Sequence, residues 1–188
     1  MVGQLLAIGV VLLVPIHLSA QQTRDYTGYV RVGAGLGLAT SEVGGEKSSK
    51  VGPVVSATFG SGGKLSVAVQ AEYQPFKVAN PVKAEAYRVL FVLPSLELRF
   101  HTLSDDGVAE VNLRGGIGLA RFWWSGPEAG VPSENGVALS LSAGLRSHAV
   151  LAGRLMGEIG VQSGASSDFS ASAGLLSIRV LAVWPRLR

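Results

Sequence analysis

The chain has 188 residues, 47% hydrophobic and 15% charged, with a formal net charge of +3, 25 glycines and no cysteine. That length suits one domain. The missing cysteines exclude disulfides and a thiolate metal site, and the basic residues are too scattered for a nucleic-acid footprint.

The only long apolar run is LLAIGVVLLVPI, residues 5–16. It is too short for a membrane helix, which needs about 20 residues. Leu18-Ser19-Ala20 follows with the small residues of a cleavage site. Residues 1–20 are therefore predicted to be a cleavable secretory signal peptide, with 21–188 as the mature domain.

From Gly28 onward the apolar residues recur every second position, the period of a strand with one apolar and one polar face. In Gly28–Leu38, Val30, Val32, Ala34, Leu36 and Leu38 oppose Tyr29, Arg31 and three glycines. A polar Ser- and Gly-rich connection is expected at 40–50. Pro53–Gly60 sets Pro53, Val55, Ala57 and Phe59 against Val54, Ser56 and Thr58. After the turn Ser61-Gly62-Gly63, segment Lys64–Tyr73 sets Leu65, Val67, Val69, Ala71 and Tyr73 against Ser66, Ala68, Gln70 and Glu72. A second long connection is expected over Gln74–Glu85, which holds Pro75 and Pro81.

Tyr87–Phe100 is more apolar, but its second half alternates, with Leu96, Leu98 and Phe100 against Ser95, Glu97 and Arg99. Thr102–Gly107 reads as a short polar turn. Val111–Trp124 has the clearest pattern. Val111, Leu113, Ile117 and Leu119 share one face, Glu110, Asn112 and Arg114 the other, and the stretch ends in Phe122-Trp123-Trp124. A third long connection, Ser125–Asn135, carries Pro127 and Pro132. Val137–Arg146 sets Val137, Leu139, Leu141 and Leu145 against Ser140, Ser142 and Arg146. Past a short link at Ser147–Val150, Ala152–Gln162 sets Leu155, Ile159 and Val161 against Arg154, Met156, Glu158 and Gln162. The fourth long connection is Ser163–Ser172. Leu175–Trp184 then sets Leu176, Ile178, Val180, Ala182 and Trp184 against Ser177 and Arg179. Pro185 is expected to stop this last strand.

Eight segments whose connections alternate long and short fit an up-and-down barrel, with long loops on one side of a membrane and short turns on the other. The predicted fold is all-β: an eight-stranded antiparallel transmembrane β-barrel. Its polar face would hold Arg31, Arg99, Arg114, Arg146, Arg154 and Arg179 with Glu72, Glu97, Glu110 and Glu158. Enclosed charges must pair, because an unpaired buried charge costs several kcal/mol. These ten residues are expected to form interior ion pairs. Tyr73, Tyr87, Phe122, Trp123, Trp124 and Trp184 are expected to form an aromatic girdle at the lipid interface. Arg121 has outward parity at a strand end, where it can snorkel.

Catalysis finds little footing. His17 lies in the signal, His101 and His148 fall at short turns, and Ser147 and His148 are strand neighbours that point to opposite faces. No His/Asp/Glu spacing suits a metal, and no cofactor is expected. GAGLG at 33–37 lies in a strand and lacks the helix of a dinucleotide fingerprint.

LPSLELRF (93–100), LRGGIGLARF (113–122) and the rhythm of strands and connections resemble the small outer-membrane β-barrel family, the eight-stranded barrels that include the opacity-type surface proteins. The resemblance implies a non-catalytic monomer in a Gram-negative outer membrane, with lipid as its first partner and four outward loops that can meet a surface ligand. Members include adhesins, resistance factors and membrane-tethering proteins, so the role within that setting stays open. Two other readings remain: a small passive pore, and a secreted soluble ligand-binding barrel of lipocalin type with the faces reversed.

Overall fold

A computed structural model describes residues 26–43, 46–80, 85–104, 107–125, 134–147, 151, 154–166 and 171–187. The predicted signal peptide lies outside the described residues, as does His148. Eight strands run in order: β1 (Tyr26–Val43), β2 (Glu46–Ser61), β3 (Leu65–Asn80), β4 (Glu85–Ser104), β5 (Gly107–Ser125), β6 (Glu134–Ser147), β7 (Leu155–Ser166) and β8 (Ala171–Leu187). Each pairs antiparallel with its neighbour in sequence, and β8 pairs back onto β1, so the sheet closes into a barrel. Closure leaves no edge, and every strand finds ladder partners on both sides.

The alternation read from the sequence becomes the two faces of this wall. Leu36, Ile117, Leu141 and Ile178 are among 26 exposed large apolar side chains of the described residues. They cover far more than the few hundred Å² of contiguous apolar surface that a soluble monomer tolerates. Arg31, Glu110, Arg114, Arg146 and Arg179 of the same strands are inside. A lipocalin-type barrel requires the reverse, so the soluble alternative is overturned.

The strands are longer than their apolar cores. Residues 40–43 and 46–50, predicted as part of a loop, pair instead: Ala39↔Lys50, Ser41↔Ser48 and Val43↔Glu46 continue the β1–β2 ladder. Likewise β3 runs to Asn80, β5 to Ser125 and β7 to Ser166. The first, second and fourth long connections are thus hairpin wall over most of their length, whereas residues 126–133 of the third lie outside the described residues. The reason is that a polar Ser- and Gly-rich segment has weak strand propensity alone but can extend a ladder already nucleated by its neighbour. Pro75 is accommodated by a register shift between Gln74 and Val78, where a bulge tolerates proline. Pro185 does not end β8 either: it pairs with Tyr29, and the register slips just beyond, between Tyr26 and Gly28.

Closing so small a barrel brings neighbouring backbones together. At Gly35 a Cβ would meet the Ile178 carbonyl oxygen and lie 2.7 Å from the Arg179 Cα. Gly35 therefore makes room for strand β8 itself rather than for an arginine side chain. The inward glycine that does make room for an arginine is Gly160, whose Cβ would strike the Arg179 guanidinium.

Candidate functional site: lumen and rim

Nine of the ten predicted interior charges lie in the lumen, buried: Arg31, Arg99, Arg114, Arg146 and Arg179 with Glu72, Glu97, Glu110 and Glu158. Five arginines against four glutamates leave a formal excess of one positive charge among the described interior residues. Glu97 is the hub. Arg31 donates to it through Nη1 at 2.6 Å and Nη2 at 3.0 Å, and Arg99 through Nε at 2.6 Å. The Tyr29 hydroxyl adds a bond at 2.9 Å, and Arg114 Nη1 lies 3.5 Å away. Arg114 also grips both oxygens of Glu158, at 2.8 and 2.9 Å. Arg179 bridges Glu158 at 2.8 Å and Glu72. Glu110 completes the chain between Arg31 at 3.6 Å and Arg146 at 3.4 Å. Arginine suits this network because its planar head donates in several directions at once.

Arg154 is the exception. It is exposed in the turn before β7, where its backbone NH bonds to the Leu151 carbonyl. The strand begins one residue later, so period-2 parity does not reach it.

The neutral members of the network were not singled out from sequence. The Tyr29 ring lies between two guanidinium groups, 4.1 Å from Arg31 and 4.3 Å from Arg99. Gln70, Gln162 and Ser177 all donate to Glu72. Their inward parity was legible, but an uncharged side chain gave no reason to seek a partner for it.

Toward the long-connection end the lumen turns apolar. Val54, Val78, Tyr87, Val89, Phe91, Leu93, Phe122 and Leu175 form one buried cluster, with Phe76 packed against it. This corrects the predicted girdle: Phe122 is 1% exposed and Tyr87 2% exposed, both inside the barrel. The rings meet edge to face at 6.1 Å, and the Tyr87 hydroxyl donates to the Thr40 carbonyl. Parity explains it, since Phe122 continues the inward row Glu110, Asn112, Arg114 and Ala120. Tyr73, Trp123 and Trp184 stay on the outer wall, where Tyr73 and Trp123 pack edge to face at 6.1 Å. The Trp124 side chain lies outside the described residues. A smaller apolar group, Met156, Leu181 and Val183, fills the lumen toward the short-turn end.

At the long-connection rim, between the β1–β2 and β7–β8 hairpins, lies a cavity of about 360 Å³. Thr40, Ser41, Ser48, Ser49, Ser163 and Ser172 line it with hydroxyls, and Lys47 supplies one cation. Among the described residues no group of His, Asp and Glu is arranged to hold a metal. His101 falls in β4 rather than in a turn, and its side chain lies outside the described residues.

By sequence the chain matches no family profile and no curated protein. By structure it is similar to Neisserial surface protein A, with a TM-score of 0.56 and 16% identity over 84% of this chain and 97% of that one. It is similar also to Ail, the attachment invasion locus protein of Yersinia pestis, with a TM-score of 0.50 and 12% identity over 84% and 99%. The fold is that of the small eight-stranded outer-membrane barrels. At such identities the likeness concerns the backbone architecture, which matches the resemblance read from the strand rhythm.

Proposed function

We propose that this protein is a closed, non-catalytic barrel of a Gram-negative outer membrane that works as a surface-interaction protein through its long hairpins. The observation that carries this is the inverted distribution of side chains: an apolar outer wall around a lumen filled by ion pairs and capped by an apolar layer. Lipid supplies the partner that the outer wall lacks. The filled lumen argues against transport. An ion passing through would have to break buried Arg–Glu pairs and then cross the layer of Phe91, Leu93 and Phe122. What projects beyond the apolar belt is β-ribbon carrying Ser, Thr and Lys, a wall suited to polar contacts. The two similar structures, a Neisserial surface protein and an attachment invasion locus protein, favour the same role.

The test combines two measurements on the mature chain. It should fold only in detergent or lipid and should migrate differently on a gel before and after boiling. In planar bilayers the purified monomer should show no large, steady conductance. Clear monomeric refolding in plain buffer contradicts the membrane placement, and stable large openings restore the passive pore.

A further inference from the structure

We propose that the mouth of the barrel, at the long-connection end, is a split ring that opens between β2 and β3, with Phe76 as the latch that holds it shut. This device rests on the fold and goes beyond the surface role argued above. The ladders that seal the wall are not equally tall. Toward the mouth, β1–β2 is paired as far as Val43↔Glu46, β3–β4 as far as Asn80↔Glu85, and β8–β1 as far as Val43↔Ala171. The ladders from β4 to β8 reach Ala86↔Ser125, Phe122↔Glu134, Gly136↔Ser166 and Ala165↔Ser172. The β2–β3 ladder runs from Gly60↔Ala68 only to Val55↔Tyr73. Beyond it, Glu46–Val54 and Gln74–Asn80 belong to strands but have no ladder pair across this seam among the described residues. The described mouth is therefore one continuous sheet, β3 round to β2, with a slit.

The sequence accounts for the slit. Counting on from Val55↔Tyr73 sets Pro53 opposite Pro75 and Gly52 opposite Phe76. Proline brings no N–H to a ladder and is tolerated only at an edge or a bulge, so two prolines face to face stop the zipper. On its other side β3 bulges from β4 over the same stretch, between Gln74 and Val78. Residues 75–77 thus have no ladder pair on either side, and the Gln74 side chain donates to the Phe76 carbonyl at 3.3 Å in place of one. What spans the seam at this level is a side chain. A Cβ at Gly52 would strike the Phe76 ring, so the ring fills the space that glycine leaves, and it packs against the buried cluster of Val54 and Val78. Ser49, Lys50, Lys77 and Ala79 flank the slit and are exposed, so water can reach backbone groups that would be costly to leave unpaired within lipid. One ring contact is a weak closure beside a ladder, and the β1–β2 and β3–β4 hairpins can part above the Val55–Tyr73 row. A partner that grips both hairpins would then set the width of the mouth.

The experiment uses the absence of native cysteine. Nitroxide labels are placed on Ser49→Cys/Ala79→Cys, which face each other across the slit in the continued register, and on Thr40→Cys/Ser49→Cys, a ladder pair of exposed residues on β1 and β2 at the same height. The protein is folded in detergent and moved into phosphatidylcholine nanodiscs, and only preparations that keep the boiling-dependent gel shift are measured. Labels on strands about 5 Å apart broaden each other's EPR lines. Thr40/Ser49 should give one fully broadened spectrum. Ser49/Ala79 should give a broadened and an unbroadened component, the shut and open mouth. Two changes should release the latch by different routes: Phe76→Ala removes the ring, and Gly52→Ala keeps it but takes its space. Each should raise the open-to-shut ratio by about tenfold while Thr40/Ser49 stays broadened. A Ser49/Ala79 pair as fully broadened as Thr40/Ser49 in the parent and in both variants overturns the slit. An open component that neither variant increases overturns Phe76 as its latch.

Discussion

Glu97→Ala should be among the most destabilising single changes in this barrel. Glu97 is 0% exposed and accepts four hydrogen bonds, from Tyr29 Oη, Arg31 Nη1 and Nη2, and Arg99 Nε. Each bond to a charged group is worth about 1.5–3 kcal/mol. A simple sum overshoots, because the freed donors can partly re-pair. Arg31 retains Glu110 at 3.6 Å, Arg114 retains Glu158, and Arg99 keeps the Ser61 carbonyl at 2.9 Å. What cannot be replaced is the charge. The interior excess of arginine rises from one to two, and removing one partner of a buried pair costs about 3–5 kcal/mol. Equilibrium urea unfolding in lipid vesicles, followed by the boiling-dependent gel shift and tryptophan fluorescence, measures the loss. Glu97→Gln keeps the shape and one acceptor, so it should fall between the parent and Glu97→Ala. Arg154→Ala is the control: this exposed turn residue should change stability by no more than about 0.5 kcal/mol. A Glu97→Ala barrel within about 1 kcal/mol of the parent would mean that the lumen is wet enough to solvate its arginines. The ion network would then not be what holds it closed.

Three further outcomes test the wall and its orientation. Phe122→Ala should cost about 3–5 kcal/mol, because it empties a buried aromatic site, whereas Trp123→Ala on the outer wall should cost less; a reversed order in the same unfolding assay would put Phe122 in the girdle. Gly35→Ala should impair closure of the β1–β8 seam, since its Cβ would strike the Ile178 carbonyl, while Gly157→Ala, with nothing within 4 Å, should be neutral; comparable yields of heat-shifting barrel for both would refute the close approach. On intact cells an impermeant maleimide should label Ser49→Cys on the long β1–β2 hairpin and spare Ser61→Cys at the short turn; the opposite pattern inverts the topology.

Much of this fold follows from the sequence alone because lipid and a narrow lumen impose opposite demands on alternate residues. Val111–Trp124 shows the consequence: the parity of Glu110, Asn112 and Arg114 is enough to place them inside. Composition and strand rhythm likewise determined the strand number and the closed antiparallel order. Where both faces are apolar, that contrast vanishes. Tyr87, Val89, Phe91 and Leu93 alternate with Leu90 and Val92, so hydropathy could not tell which row would become the apolar layer of the lumen. Strand ends escaped for a related reason. Nothing local marks Arg154 as outside β7, and nothing local marks Ser41 or Ser48 as ladder partners. Those boundaries depend on what the neighbouring strand offers. Pairing within the lumen depends on tertiary structure most of all. Arg31 and Glu97 are 66 residues apart and meet only because the barrel closes and faces β1 toward β4 across its axis. Alternation tells a charge to turn inward; the curvature of the closed sheet chooses its partner.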